Sequence, residues 1–310
     1  MNTQVEKKKR VNWKRYIPFY LMLLPACVYF IINNYIPMTG MILAFEKFSI
    51  TGGIYGSEKV GLDNFKYLFD NSDAFIMTRN TILYNVAFIF IGTFLSIFVA
   101  YLLYEIKGKV PKKFYQTVIL FPGLLSIIII AYLANAFLAG DTGFINNNLL
   151  KPLGLETISF YSEAKWWPFI LIFINMWKSV GTSCILYLAN MSGIDPGLYE
   201  AAALDGATRW QSAKNIMLPG LKPVIITMTI LAVGKIFNSD FGLFYQVPMN
   251  SGALTEITQT IDTYVYRGLL NTANLGMTAA AGFYQSIVGF ILVFATNAFV
   301  NKISKEDAIF

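Results

Sequence analysis

Runs of about twenty apolar residues recur along this chain, each bounded by charged or turn-forming residues. Six are long enough to cross the hydrocarbon core of a bilayer as helices: Ile17–Ile36, Ile82–Leu103, Val118–Leu138, Trp167–Ala189, Val224–Asp240 and Met277–Val300. Helix is the state that satisfies every backbone N–H in lipid without a neighbour's help. The fifth run is the least regular, because Lys235 and Asp240 interrupt its far end. The pattern predicts an all-α membrane protein with six transmembrane helices. It divides into a basic arm (1–16), a six-helix domain (17–302) and a tail (303–310).

The polar segments between runs carry an asymmetric charge. Lys7, Lys8, Lys9, Arg10, Lys14 and Arg15 precede the first run; Lys107, Lys109, Lys112 and Lys113 follow the second. Arg209, Lys214 and Lys222 follow the fourth, and Lys302 and Lys305 follow the sixth. These four segments share one side of a six-span chain, which the positive-inside bias makes cytoplasmic. The opposite loops hold Glu46, Glu58, Asp63, Asp70, Asp73, Asp141, Glu156, Glu163, Glu256 and Asp262. Both termini are therefore expected in the cytoplasm. The first run contains Pro18 and Pro25 and ends in no small-x-small site. It reads as a retained span, not a cleaved signal.

Composition agrees. Of 310 residues 55% are hydrophobic and 14% charged, against about 25% charged in soluble domains. The net charge of +6 sits at the ends of apolar runs, so it reports orientation and not nucleic acid. The absence of histidine removes the commonest metal ligand and neutral-pH base, and no metal site is expected. Cys27 and Cys184 both lie in apolar runs and form no disulfide framework.

The loop 191–222 has a definite local grammar. Asp195 is a good N-cap and Pro196 fits the first helical position. Gly206 can end that helix in a left-handed cap. Thr208 and Gln211 stand three apart as a capping box for a second helix, closed by Pro219 and Pro223 before the fifth span. The first helix carries small alanines beside Leu198, Tyr199 and Leu204, a surface that fits a groove on another protein.

Glu200-Ala201-Ala202, Gly206 four positions later, and Ile216-x-Leu218-Pro219 resemble the signature loop of inner-membrane permeases of binding-protein-dependent ABC importers. Gly61-Leu62-Asp63-Asn64-Phe65, Asn80-Thr81, Phe121-Pro122 and Gly143-Phe144-Ile145-Asn146 are similar to segments of the sugar-uptake members. Within that group the chain looks most like permeases for oligosaccharides derived from complex polysaccharides. The family often has a glycine-glycine-proline cluster after span five; here the segment reads Pro248-Met249-Asn250-Ser251-Gly252.

The resemblance implies a bacterial cytoplasmic-membrane subunit whose loop between spans four and five is a coupling helix, held in a cleft of a cytoplasmic ATPase. Its contacts would come from Tyr199, Glu200, Ala201, Ala202, Leu204, Asp205 and Gly206. The implied partners are a second, different permease, two ATPase subunits and an extracellular solute-binding protein. ATP-Mg would sit on the ATPase. This chain has no G-x-x-x-x-G-K-[ST] sequence with which to hold it, so it is read as a transport subunit and not an enzyme.

Polar residues within spans are costly and mark pathways. A sugar needs amides and carboxylates for its hydroxyls and flat apolar faces for its C–H surfaces. The candidates are Asn175, Trp177 and Lys178 in span four, Phe237, Asn238 and Asp240 at the end of span five, and Tyr284 and Gln285 in span six. Lys178 could instead pair with Asp240, and Lys235 could snorkel to the outer interface. The competing function is an ion-coupled secondary carrier. No Asp or Glu lies at mid-depth in spans one to four or six, which disfavours a proton relay.

Overall fold

The computed structural model describes residues 13–270 and 275–303. The first twelve residues of the basic arm and the tail from 304 lie outside the described residues. Helix dominates, as the apolar runs predict. The first span starts with α1 (Trp13–Phe30), passes through a π-turn at Ile31–Tyr35 into α2 (Ile36–Met38), and tightens to a 3-10 stretch at Thr39–Phe45. The rod is therefore longer than the run Ile17–Ile36. The π-turn falls just before Pro37, whose missing N–H and ring disturb the ladder one turn back. Every residue from Tyr16 to Thr39 is exposed, so this segment turns apolar side chains outward all round, as a span in lipid does.

A short antiparallel pair, β1 (Glu46–Lys47) and β2 (Glu58–Lys59), follows the first span. Next come α3 (Asp63–Asp70) and the long α4 (Ser72–Glu105). Asn71 caps α4 by accepting from the Asp73 N–H. Asn64 donates its amide to the carbonyls of Ala44 (3.0 Å) and Glu46 (2.9 Å), tying α3 to the end of the first span.

The third span is not one helix. α5 (Lys109–Leu124) and α6 (Ile127–Leu138) meet at a bend of 94°. Pro122 lies in the last turn of α5, Leu125 is extended, and the Ser126 hydroxyl accepts from the Ile128 N–H to start α6. The continuous apolar run Val118–Leu138 hid this break. α5 also begins earlier than that run, so Lys109, Lys112 and Lys113 stand on its first turns.

Asn146 organises the loop between α6 and the next span. It is fully buried. Its amide donates to the carbonyls of Gly140 (2.9 Å) and Ile158 (2.8 Å), and its oxygen accepts from the Ile158 N–H (3.0 Å). Asn146→Ala orphans these buried groups, at about 1–3 kcal/mol. The expected result is faster amide exchange across 140–158 with unchanged exchange in the spans.

α7 (Trp167–Ser192) is the fourth span, and the hairpin after it is α8 (Pro196–Leu204) and α9 (Arg209–Ser212). α9 does not stop at Pro219. It runs through a π-turn at Ala213–Met217 into α10 (Leu218–Val233), one helical rod from Arg209 to Val233. Pro219 falls in the first turn of α10, and the π-turn just before it absorbs the lost hydrogen bond. The fifth span then ends at Val233, short of the expected Asp240. Residues 234–240 are irregular, so Lys235 and Asn238 do not share a helix face. A π-turn at Gly242–Gln246, α11 (Thr255–Thr258) and α12 (Ile261–Leu270) form a cap before α13 (Leu275–Ile303).

Three apolar clusters hold the bundle. One joins α4, α6 and α7 to the segment after α10 through Tyr84, Ile130, Trp167 and Phe244. One sits at the end of the bundle next to the hairpin, where Ala100, Cys184, Tyr187 and Met217 meet. The third packs Ala44, Leu68 and Met77 against Phe237, Ala280 and Ala281.

Candidate functional site

Polar positions recur every four residues along α7: Asn175, Ser179, Ser183 and Tyr187. That spacing puts them on one face. α4 faces them with Asn85, Gly92, Thr93 and Ser96, and the irregular turn after α10 closes the far wall with Lys235, Asn238 and Ser239. The three walls enclose a cavity of about 370 Å³, within the usual range for small-molecule sites.

The turn 234–240 leaves helix geometry inside the bundle, so its backbone needs side-chain partners. Asn85 supplies them from α4, donating to the carbonyls of Ile236 and Asn238, each at 2.9 Å. Gln285 on α13 donates to the Phe237 carbonyl (2.8 Å) and reaches Asn238 Oδ1 (3.3 Å) and Asp262 Oδ1 (3.2 Å). The Ser239 N–H and hydroxyl both donate to Asp262 Oδ2 at 2.7 Å.

Of the eight residues expected on a substrate path, Asn175 and Asn238 line this cavity. Gln285 braces its wall. Asp240 accepts from the Leu243 N–H (3.2 Å) and so starts the next helical turn. Lys178 does not pair with Asp240; its ammonium donates to the Leu125 carbonyl at 2.8 Å, a group left free by the break between α5 and α6. Phe237 is buried, and Tyr284 packs edge-on against it and against Phe69. Trp177 faces the other way, into an open cleft of about 620 Å³ between α6 and α7 lined by aliphatic and aromatic side chains such as Leu133, Phe137 and Phe173. That cleft is larger, but it offers a sugar no array of hydrogen-bonding groups. Asn85, Ser96, Ser179 and Ser183 were missed by the sequence reading. The serine repeat following Asn175 was the available signal.

The hairpin folds as its sequence dictates. Asp195 accepts from the Gly197 N–H at 2.9 Å. At the other end of α8 the Ala207 N–H bonds the Ala202 carbonyl (2.9 Å) and the Gly206 N–H bonds Ala203 (3.2 Å), with Gly206 at φ +77°. This is a Schellman ending. Thr208 and Gln211 form both bonds of the capping box. The hairpin is anchored on one side only. Tyr199 packs on Tyr104 with ring centres 6.0 Å apart, and Arg209 pairs with Glu105 at 2.9 Å. Partial burial, together with the neighbouring Tyr104 and Glu105, raises the Tyr199 pKa. α8 buries none of its residues; Leu204 is 89% exposed and Trp210 on α9 is 70% exposed.

In the segment after span five, Met249 and Asn250 both take left-handed backbone angles (φ 53° and 48°). Glycine adopts this conformation cheaply, which accounts physically for a glycine pair at this place. Here Arg267 Nε holds Asn250 by its side-chain oxygen at 3.0 Å.

Residues 74–305 match the family described as the binding-protein-dependent transport system inner membrane component. The chain belongs to this family. It is a multi-pass inner-membrane transport subunit of an ABC importer. It is 35% identical over 305 residues to the polygalacturonan/rhamnogalacturonan transport system permease protein YteP of Bacillus subtilis (strain 168), covering 97% of this chain and 94% of that protein. Its fold matches a crystal structure of a bacterial ABC transporter involved in the import of the acidic polysaccharide alginate. The TM-score is 0.83 and the identity 32%, over 94% of this chain and 97% of the other. A second structure of a bacterial alginate ABC transporter, in complex with an alginate pentasaccharide-bound periplasmic protein, matches equally well, with 32% identity over 94% of this chain and 96% of the other.

Proposed function

We propose that this chain forms one half of the path of an ATP-driven oligosaccharide importer. The polar cavity between α4, α7 and the 234–240 turn carries the cargo, and the hairpin 195–212 couples the bundle to a separate cytoplasmic ATPase. The observation that carries the reading is that hairpin: a helix capped at both ends with no fully buried residue, and with Leu204 almost fully exposed. An apolar side chain held in water on a rigid support is a surface waiting for a partner's groove. Tyr199, Glu200, Ala201, Ala202, Asp205 and Gly206 accompany Leu204 on this element.

In this reading a second permease completes the path, two ATPase subunits close on ATP-Mg beneath the pair, and a solute-binding protein delivers the sugar from outside. The termini lie in the cytoplasm with the hairpin. The polysaccharide-derived cargoes of the relatives support the substrate class, and the amide and hydroxyl stripes of α4 and α7 fit sugar hydroxyls. Proteoliposomes holding the whole importer test this. Uptake of an oligosaccharide is expected to require ATP, the ATPase subunits and the binding protein. Uptake driven by an ion gradient without ATP would favour the secondary-carrier reading.

A further inference from the structure

We infer that the foot of the second span is a transmission element: Tyr104 and Glu105 pass the hairpin's motion into α4, and α4 carries it to the cavity wall. The inference rests on the reading of the hairpin as the ATPase contact.

The hairpin 195–212 meets the bundle at two places. Among the described residues, one ion pair and one ring contact join its side chains to the spans: Arg209 with Glu105 at 2.9 Å, and Tyr199 with Tyr104 at 6.0 Å between ring centres. Its side-chain hydrogen bonds stay within the hairpin. Beneath it lies a cavity of about 220 Å³, bounded by Tyr101, Tyr104, Tyr199, Ala203 and Met217. The Tyr199 hydroxyl has no hydrogen-bond partner there. The hairpin thus stands off the bundle on two props and does not rest on a packed face. Both props end on consecutive residues at the last turn of α4. Lys112 of α5 braces the first of them, with its ammonium 5.6 Å from the centre of the Tyr104 ring.

α4 is suited to carry a displacement. It runs 34 residues without a break or a proline. Glu105 and Asn85 stand roughly 30 Å apart along it. Asn85 clasps the Ile236 and Asn238 carbonyls, and Asn85, Gly92, Thr93 and Ser96 line the polar cavity. A shift of the foot therefore arrives at the cavity wall as a shift of the same rod. The covalent routes are softer. Towards α10 the chain crosses the π-turn at Ala213–Met217 and then Pro219 and Pro223, where ladder hydrogen bonds are missing or displaced. Towards α7 it is non-helical at 193–195.

The Arg209 side chain is 72% exposed and that of Glu105 31%. Such an ion pair adds little to stability. It sets the angle at which the hairpin meets the span, and its loss leaves the fold standing.

The test follows the cavity and needs no cargo. The complete importer is reconstituted in proteoliposomes, with Cys27 and Cys184 of this chain replaced by alanine. Ser179→Cys is the reporter, at an exposed position lining the cavity. Two quantities are read: the ATP-dependent change in the rate at which a water-soluble maleimide labels this chain, and ATP hydrolysis. Glu105→Arg sets two guanidinium groups against each other. It is expected to shrink the labelling change about fivefold, the scale of one surface pair and the ring contact it steadies, while hydrolysis continues. Tyr104→Ala is expected to shrink the change as well. Glu105→Arg combined with Arg209→Glu rebuilds the pair in reverse and is expected to recover most of it. A fold-only role would move the melting temperature and not the ratio of labelling change to hydrolysis. An undiminished labelling change in Glu105→Arg, or no recovery in the reversed pair, overturns the inference and leaves the coupling reading standing, with the motion carried by the α9–α10 rod. Loss of the ATPase subunits from the Glu105→Arg importer overturns it too, because the pair then serves assembly. A parent importer in which ATP changes nothing at the reporter removes the coupling reading with it.

Discussion

Gly206→Val is expected to drop ATP-driven uptake to the ATP-free background while the chain still reaches the membrane. The argument is local. Gly206 has φ +77°, and a Cβ built there meets nothing within 4 Å. A substitution therefore adds no clash; it acts only through backbone conformation. Left-handed geometry costs an L-residue roughly 1–2 kcal/mol, and a β-branched one is the least able to adopt it. The Schellman bonds from Ala207 and Gly206 to the last turn of α8 would then be lost or distorted, changing the angle between α8 and α9. The core beneath, around Met191, Ala213 and Met217, does not depend on that angle, so assembly survives. Gly206→Asn is the control, since asparagine tolerates the left-handed region; it should retain a measurable part of the uptake. Full uptake in the valine variant would mean that the hairpin's geometry does not transmit the motion.

How much of this was legible beforehand follows from where each interaction lives. The caps of the hairpin, at Asp195, Gly206, Thr208 and Gln211, are local, and their partners lie within a few residues. Sequence spacing alone decides such contacts. The number and order of the spans were legible for a similar reason, because apolar length is a property of a segment by itself. The break between α5 and α6 was not. Pro122 hinted at it, but the chain stays apolar straight through the bend, and the Leu125 carbonyl is answered by Lys178, 53 residues away.

The cavity wall was half legible. In lipid both faces of a span are apolar, so hydropathy says little about which face looks inward. Asn175 and Trp177 are two residues apart, hence about 200° apart around a helix, and they line different spaces. The turn 234–240 was read as helix because its clasps, Asn85, Asp262 and Gln285, are all distant in sequence.

The second large effect is expected at Gly181. α5 and α7 approach so closely there that a Cβ on Gly181 would run into the Ile119 carbonyl, backbone against side chain, with the Ile119 side chain at 3.2 Å behind it. Four residues along α5, a Cβ on Gly123 would lie 3.1 Å from the Lys178 carbonyl, so two glycines, one from each helix, let the backbones meet. A flexible side chain can swing aside; a helix carbonyl cannot move without moving α5. Gly181→Ala should therefore destabilise by about 1–3 kcal/mol, the usual cost of overpacking, and Gly181→Val by more. The helices would separate, and with them the Lys178–Leu125 bond that fixes the bend of the third span. The measurements are the yield and melting temperature of the detergent-solubilised importer, expected to fall from glycine to alanine to valine. Gly92 provides the comparison: it also lies between spans, but a Cβ there meets only the Met176 side-chain end at 3.6 Å. Gly92→Ala should melt within a few degrees of wild type. Equal melting of the Gly181→Ala and Gly92→Ala variants would show that the α5–α7 contact does not hold the bent span in place.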